Sequence, residues 1–514
     1  MSAERGLRTG RFIDTDVIAS AMIWLLFVVL SIPIVSFDLT QQGRYRAVVP
    51  TSVIVLLIAV AAGVYIWHYQ KRIVKSRSRG FALAGLLVLM LAVTKIGVLS
   101  TGQEYWATSW ATGAAVAAAI IMTTAYDQRF AIGMAALYCV LASFAVRSSQ
   151  NNSYQLEGIN LLVTMAAGGI TCCFLLKEIR TRMKLLQVSV VAALVVFVTA
   201  ASVGCLSLLG RGDTLGVGFV AAGHHALATF LVGLLIQSLL PVIEKVFRIA
   251  TSMTLLDYSD ANQPLLKRLA MEAPGTFSHS LLIGSIAEAA AASIGCNGLL
   301  CRVGAYYHDI GKLNKPRYFV ENEMGSASRH KELSPAMSQL IIVGHVKDGI
   351  EMAKEYGLPS VLRQFIETHH GTTLVEPFYN EAKKQHEAPA SKGSSARKPK
   401  EAPPRESEFR YAGPRPLTKE AGIVMLADAV EGAVRSLPEV TLAKVEVVVH
   451  NMAMRRLQDG QFDECDLSLR ELSQIGASMS KTLAAHYHGR IAYPSAPDVP
   501  QIDVSQPKQA DGKK

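Results

Sequence analysis

Residues 303–312 read VGAYYHDIGK and place a histidine beside an aspartate, His308 and Asp309, at the end of an apolar stretch. An imidazole next to a carboxylate suits a hard-to-borderline divalent metal ion such as Mn, Fe, Co or Zn. A lone histidine in an apolar helix is nevertheless more often structural than metal-binding. The pair therefore becomes informative only if further ligands of the same kind accompany it.

Five further side chains of metal-ligand type lie on both sides of this pair, namely His279, His345, His369, His370 and Asp428. With His308 and Asp309 they make a set larger than the roughly six ligands that one ion accepts. The set therefore predicts two ions, which a carboxylate such as Asp309 can bridge. Two ions about 3.5–4 Å apart can hold a hydroxide and clamp a phosphate for in-line attack.

The order of these residues, and the motifs around them, resemble the membrane-anchored HD phosphodiesterases of PgpH type. The likeness covers about residues 50–490. The motifs that carry it are EAPGT (272–276), VGAYYHDIGK (303–312), LSP (333–335), GHVKDG (344–349), HHGT (369–372), RYAGP (410–414), IVMLAD (423–428) and DGQFDECDL (459–467). Family members usually carry a large external domain between the first membrane span and the next seven, whereas only residues 38–50 stand there in this chain.

The resemblance implies an enzyme that hydrolyses cyclic di-AMP to linear pApA with two divalent ions, for which Mn or Fe is expected. It implies that Asp309 bridges the ions. It further implies that one ion is held by His279, His308 and Asp428, and the other by His345, His369 and His370. Two alternatives stay open: a membrane receptor whose HD domain binds nucleotide without turnover, and an HD hydrolase of another nucleotide. The Gly-Tyr-Pro element of the cyclic di-GMP branch is absent after the His369–His370 pair.

Three side chains are candidates for contact with the substrate. Lys312 is expected to hold a phosphate oxygen or assist the leaving 3′-oxygen, unless it is a solvated lysine at a helix end. Arg435 lies seven residues after Asp428, on the same helical face, and contacts either the substrate or a surface carboxylate. Tyr307 offers an aromatic face for adenine, with packing in the core as the alternative.

The C-terminal half, residues 246–494, is predicted to be an all-α cytoplasmic domain because its apolar residues recur at helical spacing. The segment 381–408 is rich in Lys, Glu, Pro and Ser and is predicted to be a disordered insertion, as is the tail 495–514. The predicted helices are 260–271, 278–294, 298–310, 335–356, 358–370, 416–437, 440–458 and 466–489.

The N-terminal half, residues 1–245, is predicted to be a polytopic helical membrane bundle. Half of the chain is hydrophobic and only 18% is charged, below the roughly 25% typical of soluble proteins. A spanning helix needs about 20 apolar residues. Eight segments qualify, although 105–125 and 130–147 are the weakest: 16–37, 51–70, 80–98, 105–125, 130–147, 158–176, 185–209 and 216–243.

The distribution of basic residues predicts that both termini and the HD domain lie in the cytoplasm of a bacterial inner-membrane protein. Lys and Arg cluster before the first span, between the second and third, between the sixth and seventh, and after the eighth. All of these positions fall on one side, which the positive-inside rule assigns to the cytoplasm. The same residues account for the net charge of +10, so no nucleic-acid polymer is expected as a partner. The expected partners are the cyclic dinucleotide, membrane lipid and a second copy of the chain in a homodimer.

The adjacent histidines His224 and His225 lie inside the last predicted span. An imidazole in hydrocarbon is energetically unfavourable and is often functional. The pair either bonds to neighbouring helices within the bundle or senses protons or a ligand, and the sequence leaves both readings open.

Overall fold

The computed structural model describes residues 15–41, 43–74, 76–101, 104–146, 154–176, 179, 181–208, 215–323, 329–387 and 403–488. Over these residues the secondary structure consists of α-helices, short 3₁₀-helices and one isolated β-bridge between Leu374 and Arg410. The prediction of an all-α chain is confirmed. The chain divides into two compact units, residues 1–267 with 353–363 and residues 268–352 with 364–514. The predicted domain boundary near residue 245 stays a prediction.

The N-terminal helices are long and apolar, and eight of those in the described ranges could cross a membrane by length and composition. The prediction of eight spans is confirmed, with α3 as a short helix between the second and third. The helices are α1 (Thr15–Gln41), α2 (Tyr45–Tyr69), α3 (Lys71–Val74), α4 (Arg77–Thr101), α5 (Glu104–Ala125), α6 (Gln128–Ala145), α7 (Tyr154–Leu175), α8 (Arg182–Leu208), α9 (Leu215–Phe247), α10 (Ser252–Tyr258) and α11 (Pro264–Glu272).

Helix α5 lies at the centre of the membrane bundle. It packs against α4, α6, α7 and α9, and 78% of its span is buried inside the protein, against 17% for α2. Its run of alanines between Ala111 and Ala119 lets neighbouring backbones approach closely. Its mean hydropathy of 1.3 is the lowest of the eight, because a helix that faces other helices does not need a lipid-facing surface.

Polar contacts connect helices of this bundle, and those of His225 and Lys95 are two examples. The imidazole of His225 shares hydrogen bonds with Thr112 Oγ1 at Nδ1 (2.7 Å) and with Thr108 Oγ1 at Nε2 (3.3 Å). Lys95, 4% exposed, lies 2.5 Å from an Asp38 oxygen and donates to the carbonyl of Ala145 at 2.9 Å. His225 therefore bonds to a neighbouring helix, which favours the structural reading of that residue.

The second unit is built from shorter helices around a core formed mainly by α12, α13, α17, α18 and α19. All eight predicted helices of the C-terminal half have a counterpart, while α10 and α16 were not predicted. The remaining helices are α12 (Pro274–Ser293), α13 (Gly298–Tyr307), α14 (Pro335–Glu355), α15 (Ser360–Thr368), α16 (Glu376–Glu387), α17 (Lys419–Arg435), α18 (Leu442–Gln458) and α19 (Leu469–His488).

The segment predicted as a disordered insertion is regular at both ends. Residues 381–387 continue α16, and a 3₁₀-helix occupies Glu406–Phe409. The backbone of Val375 donates to the carbonyl of Phe409 at 2.9 Å, which joins the two sides of the segment. Residues 388–402, and the whole of the predicted tail 495–514, lie outside the described residues.

Candidate metal centre

The seven predicted ligands come from five separate stretches of the second unit, and the structure brings all of them together. Two groups form, and within each group one ligand atom per residue lies within 4.8 Å of the others. Asp309 belongs to both groups. The first group is His279, His308, Asp309 and Asp428, and the second is Asp309, His345, His369 and His370.

The end of α13 explains how His308 and Asp309 can face the same point. Helical geometry stops at His308, and Asp309 takes φ −110° and ψ 15° before a 3₁₀-helix, Ile310–Asn314, begins. Two residues after Asp309 the chain has a glycine, and a Cβ on Gly311 would collide with the backbone carbonyl of His345. Gly311 therefore allows this turn to lie directly against α14, which carries His345.

The two oxygens of Asp309 face the two groups separately. Oδ2 lies 3.1 Å from Nε2 of His308 and 3.8 Å from Nε2 of His279. Oδ1 lies 3.3 Å from Nε2 of His345 and 3.4 Å from Nε2 of His369. This is the arrangement that a carboxylate needs in order to ligate two ions at once.

Backbone carbonyls hold three of the imidazoles with Nε2 pointing inward. Nδ1 of His308 donates to the carbonyl of Ala305 at 2.6 Å, and Nδ1 of His345 donates to that of Ile342. Nδ1 of His369 donates to the carbonyl of Ile366 at 3.0 Å. A hydrogen bond at one ring nitrogen fixes the tautomer and leaves the other nitrogen free to bind a metal.

His279 is oriented by a carboxylate. Its Nδ1 lies 2.7 Å from Oε2 of Glu431, which is buried one turn beyond Asp428 in α17. Its Nε2 lies 3.1 Å from Oδ1 of Asp428. A carboxylate behind a histidine ligand raises the basicity of the ring, so Glu431 is placed to orient His279.

The residues present fit a pair of divalent cations. Nε2 of His308 and Oδ1 of Asp309 are buried and have no hydrogen-bond partner among the described residues. Leaving such groups unsatisfied is energetically unfavourable, and a metal ion would satisfy both. Burial lowers the pKa of His369 and, more strongly, that of His370. This direction favours the neutral ring, the form that binds metals.

Lys312 lies beside the bridging carboxylate. Its Nζ is 2.7 Å from Oδ2 of Asp309 and 2.7 Å from Oε1 of Glu321, and it lies 5.0 Å from the ring centre of Phe319. Burial opposes charge on Asp309, but His308 and Lys312 outweigh it and hold the pKa of Asp309 well below its usual range. The ammonium is thus engaged by carboxylates and a ring, which argues against the alternative of a solvated lysine. Its contact with the substrate stays a prediction.

The other two predicted substrate residues are Tyr307 and Arg435, and neither is among the candidate ligands. Tyr307 is 1% exposed, which favours the alternative of packing in the core over contact with an adenine. Arg435 has a side chain that is 39% exposed, with Nε 3.9 Å from Oε1 of Glu431. The carboxylate nearest to Arg435 is therefore a buried one, and its contact with the substrate stays a prediction.

Four residues at the centre were missed by sequence reasoning. Glu321 binds Lys312, and Asn322 Oδ1 accepts from the backbone of Gly275 at the start of α12 (2.9 Å). The ring of Tyr411 stacks on His370, with centres 4.2 Å apart. Arg456 has a buried Nε without a hydrogen-bond partner in the described part of the chain, and Asp428 and Tyr411 are near enough to influence its charge. No α-helical period marks Glu321, Asn322 or Tyr411, because the first two lie in a three-residue 3₁₀-helix and Tyr411 lies in a loop.

Two family models match the chain. One, described as an HD domain, matches residues 276–433, and the other, described as a 7TM receptor with intracellular HD hydrolase, matches residues 45–251. The chain belongs to the family of membrane-anchored HD-domain proteins. The second match contains seven of the eight candidate spans, and α1 precedes it.

Curated relatives of this family carry the name cyclic-di-AMP phosphodiesterase PgpH. The Bacillus subtilis protein is 34% identical over 456 residues, which is 87% of this chain and 60% of that protein. The Listeria monocytogenes protein is 40% identical over 294 residues, which is 57% of this chain and 39% of that protein. This chain therefore spans less than two thirds of the length of these relatives.

A solved structure in the family is the HD domain of L. monocytogenes phosphodiesterase PgpH in complex with cyclic-di-AMP. Its sequence is 41% identical to the matched part of this chain. The match covers 44% of this chain and 100% of the solved chain, with a TM-score of 0.40.

Proposed function

We propose that this protein is a metal-dependent phosphodiesterase that hydrolyses cyclic di-AMP to linear pApA. The observation that carries the proposal is the buried carboxylate of Asp309, whose two oxygens face two separate groups of ligand side chains. A dinuclear centre of this kind suits phosphodiester hydrolysis. The adenine preference rests on the names of the curated relatives.

Seven side chains would hold the two ions. His279, His308 and Asp428 would serve one ion, His345, His369 and His370 the other, and Asp309 both. The histidine and carboxylate donors suit Mn or Fe. When bound, the ions would supply Lewis acidity and a water of lowered pKa.

The chain's own residues prepare this centre. Lys312 holds Oδ2 of Asp309, the oxygen that faces the first group of ligands, and Glu321 holds Lys312 in turn. Since Lys312 is occupied, Arg456 is the cation that we assign to a non-bridging phosphate oxygen. Its guanidinium carries an unpartnered buried Nε close to Tyr411 and Asp428. Arg is suited to such a contact because its planar fork matches a phosphate.

The membrane part determines the cellular location of the HD domain. We propose that residues 1–245 form a bundle in the bacterial inner membrane, with both termini and the catalytic residues 246–494 in the cytoplasm. The basic loops support this orientation, and the apolar side chains exposed along α1 and α2 support contact with lipid. A homodimer stays a prediction.

Purified full-length protein in detergent, loaded with Mn²⁺ and assayed against cyclic di-AMP, cyclic di-GMP and linear pApA, tests the proposal. Cyclic di-AMP should be converted to pApA, and cyclic di-GMP should be hydrolysed much more slowly. Tight binding of cyclic di-AMP without hydrolysis would instead favour the non-enzymatic receptor. Faster hydrolysis of cyclic di-GMP would overturn the adenine preference.

A further inference from the structure

The adjacent residues His369 and His370 pose a geometric problem, because neighbouring side chains on a helix diverge by about 100°. Both nevertheless belong to the same group as His345 and Asp309. The structure solves the problem by ending α15 at Thr368. His370 therefore lies in a turn, and the direction of its side chain depends on the residues that hold that turn in place.

The turn is held from the far side by Gln461. Gly371 has φ +51°, and a Cβ there would collide with the Gln461 side chain. The backbone N–H of Thr372 donates to Oε1 of Gln461 at 2.9 Å, and Nε2 of Gln461 donates to Oγ1 of Thr372 at 2.9 Å. Gln461 is 0% exposed, so neither bond competes with water.

The orientation of the Gln461 amide is determined by its partners. A backbone N–H can only donate, so the atom that faces Thr372 N must be the oxygen. The amide nitrogen then faces Oδ2 of Asp459 at 2.9 Å, and a carboxylate can only accept. Each atom of the amide thus meets a complementary group.

Arg410 closes the arrangement. It binds Asp459 through two nitrogens, Nη1 to Oδ2 at 3.1 Å and Nη2 to Oδ1 at 2.9 Å. Nη1 also donates to the carbonyl of Thr372 at 2.8 Å. The next residue, Tyr411, stacks on His370. Arg410, Asp459 and Gln461, which we call the Gln461 clamp, therefore hold the residue after Gly371 by its N–H, its carbonyl and its hydroxyl.

We propose that Gln461 is a positioning residue that sets the direction of His370 and thereby the affinity of one of the two ions, the one shared with His345 and His369. The inference rests on the proposed dinuclear function. Partners behind a metal ligand typically contribute about 10–100-fold to metal affinity. The ligands that belong only to the first group, His279, His308 and Asp428, have no hydrogen bond to the clamp among those described, so the affinity of the other ion should not change.

The test is a chelator-competition titration of metal-free full-length protein with Mn²⁺, comparing wild type with Gln461→Met. Methionine has a similar length and volume but forms neither hydrogen bond. We expect one ion to bind about 10–100-fold more weakly and the other to keep its affinity. The matched control is Asp463→Asn, two residues away from Gln461, where the aspartate side chain is 62% exposed and pairs with Arg415. Both ions should bind this control variant with wild-type affinity.

If both ions bind folded Gln461→Met with the affinities that they have for wild type, the inference is overturned and the proposed function is left intact. Failure of the wild type to bind two Mn²⁺ ions would overturn the dinuclear function itself. If Gln461→Met does not fold, Thr372→Val decides, since it removes only the hydroxyl that Gln461 donates to. A weaker affinity for one ion in that variant supports the inference, and unchanged affinities contradict it.

Discussion

Nζ of Lys312 lies 2.7 Å from Oδ2 of Asp309, the carboxylate that faces both groups of candidate ligands. The same ammonium lies 2.7 Å from Oε1 of Glu321, so one cation stands between two buried acids. Neither acid forms part of a surface ion pair, whose energetic value would be small. The Lys312 ammonium therefore stabilises the two buried carboxylates, Asp309 and Glu321, in their charged form near the centre.

Replacing Lys312 by methionine should destabilise the metal-free protein by about 3–5 kcal/mol, because it leaves buried carboxylates unpaired. The melting temperature of full-length protein, measured with chelator present, checks this. The double variant Lys312→Met with Glu321→Gln should recover part of the loss, since one of the acids is then neutral. A Lys312→Met protein as stable as wild type would show that the pair is not buried as described.

Gly311 permits the close approach of the His308–Asp309 turn to α14. Gly311→Ala should destabilise the protein by about 1–3 kcal/mol and weaken metal binding, because the added Cβ meets the backbone of His345, which cannot rotate away. Gly432→Ala in α17 is the matched control. Its Cβ would meet nothing within 4 Å, and alanine favours a helix, so its melting temperature should equal or exceed that of wild type.

Arg456→Gln should raise the KM for cyclic di-AMP by about 10–100-fold, the loss of one charge-assisted hydrogen bond. Metal content should not change, because Arg456 is not among the candidate ligands. Steady-state kinetics of the Mn²⁺-loaded enzyme, with the metal measured on the same samples, provide the comparison. An unaltered KM would remove Arg456 from the substrate site.

The orientation of the membrane part is open to a direct test. An alkaline phosphatase fusion after residue 43, between α1 and α2, should be active because that loop is predicted to face outward. A fusion after residue 76, between α3 and α4, should be inactive, and fluorescent protein fusions at the same points should give the opposite pattern. Activity at residue 76 with none at residue 43 would invert the proposed topology.

Much of this architecture follows from local sequence signals. The spans follow from length and hydropathy, and α14 begins at Pro335, the first residue of the predicted helix 335–356. The candidate ligands could be selected because imidazole and carboxylate side chains recur in a recognisable order. The weak hydropathy of α5 also has a physical reason, since its neighbours are helices rather than lipid.

The remaining features depend on packing that no local period encodes. His369 and His370 converge only because α15 ends at Thr368, just before them, and the partner that holds the following turn, Gln461, lies 89 residues from Thr372 in the chain. Tyr307 is in the core because α13 turns that face inward. The sequence alone therefore predicts which residues could bind metal, but not which residues orient them.

The most direct test of the account compares wild type with Asp309→Asn, because an amide cannot bridge two cations as a carboxylate does. Full-length protein purified in Mn²⁺ should contain two ions per chain and hydrolyse cyclic di-AMP, measured by metal analysis and product chromatography on one sample. The variant should retain at most one ion, and its hydrolysis should fall to background. Two bound ions together with near-normal turnover in Asp309→Asn would contradict the dinuclear mechanism.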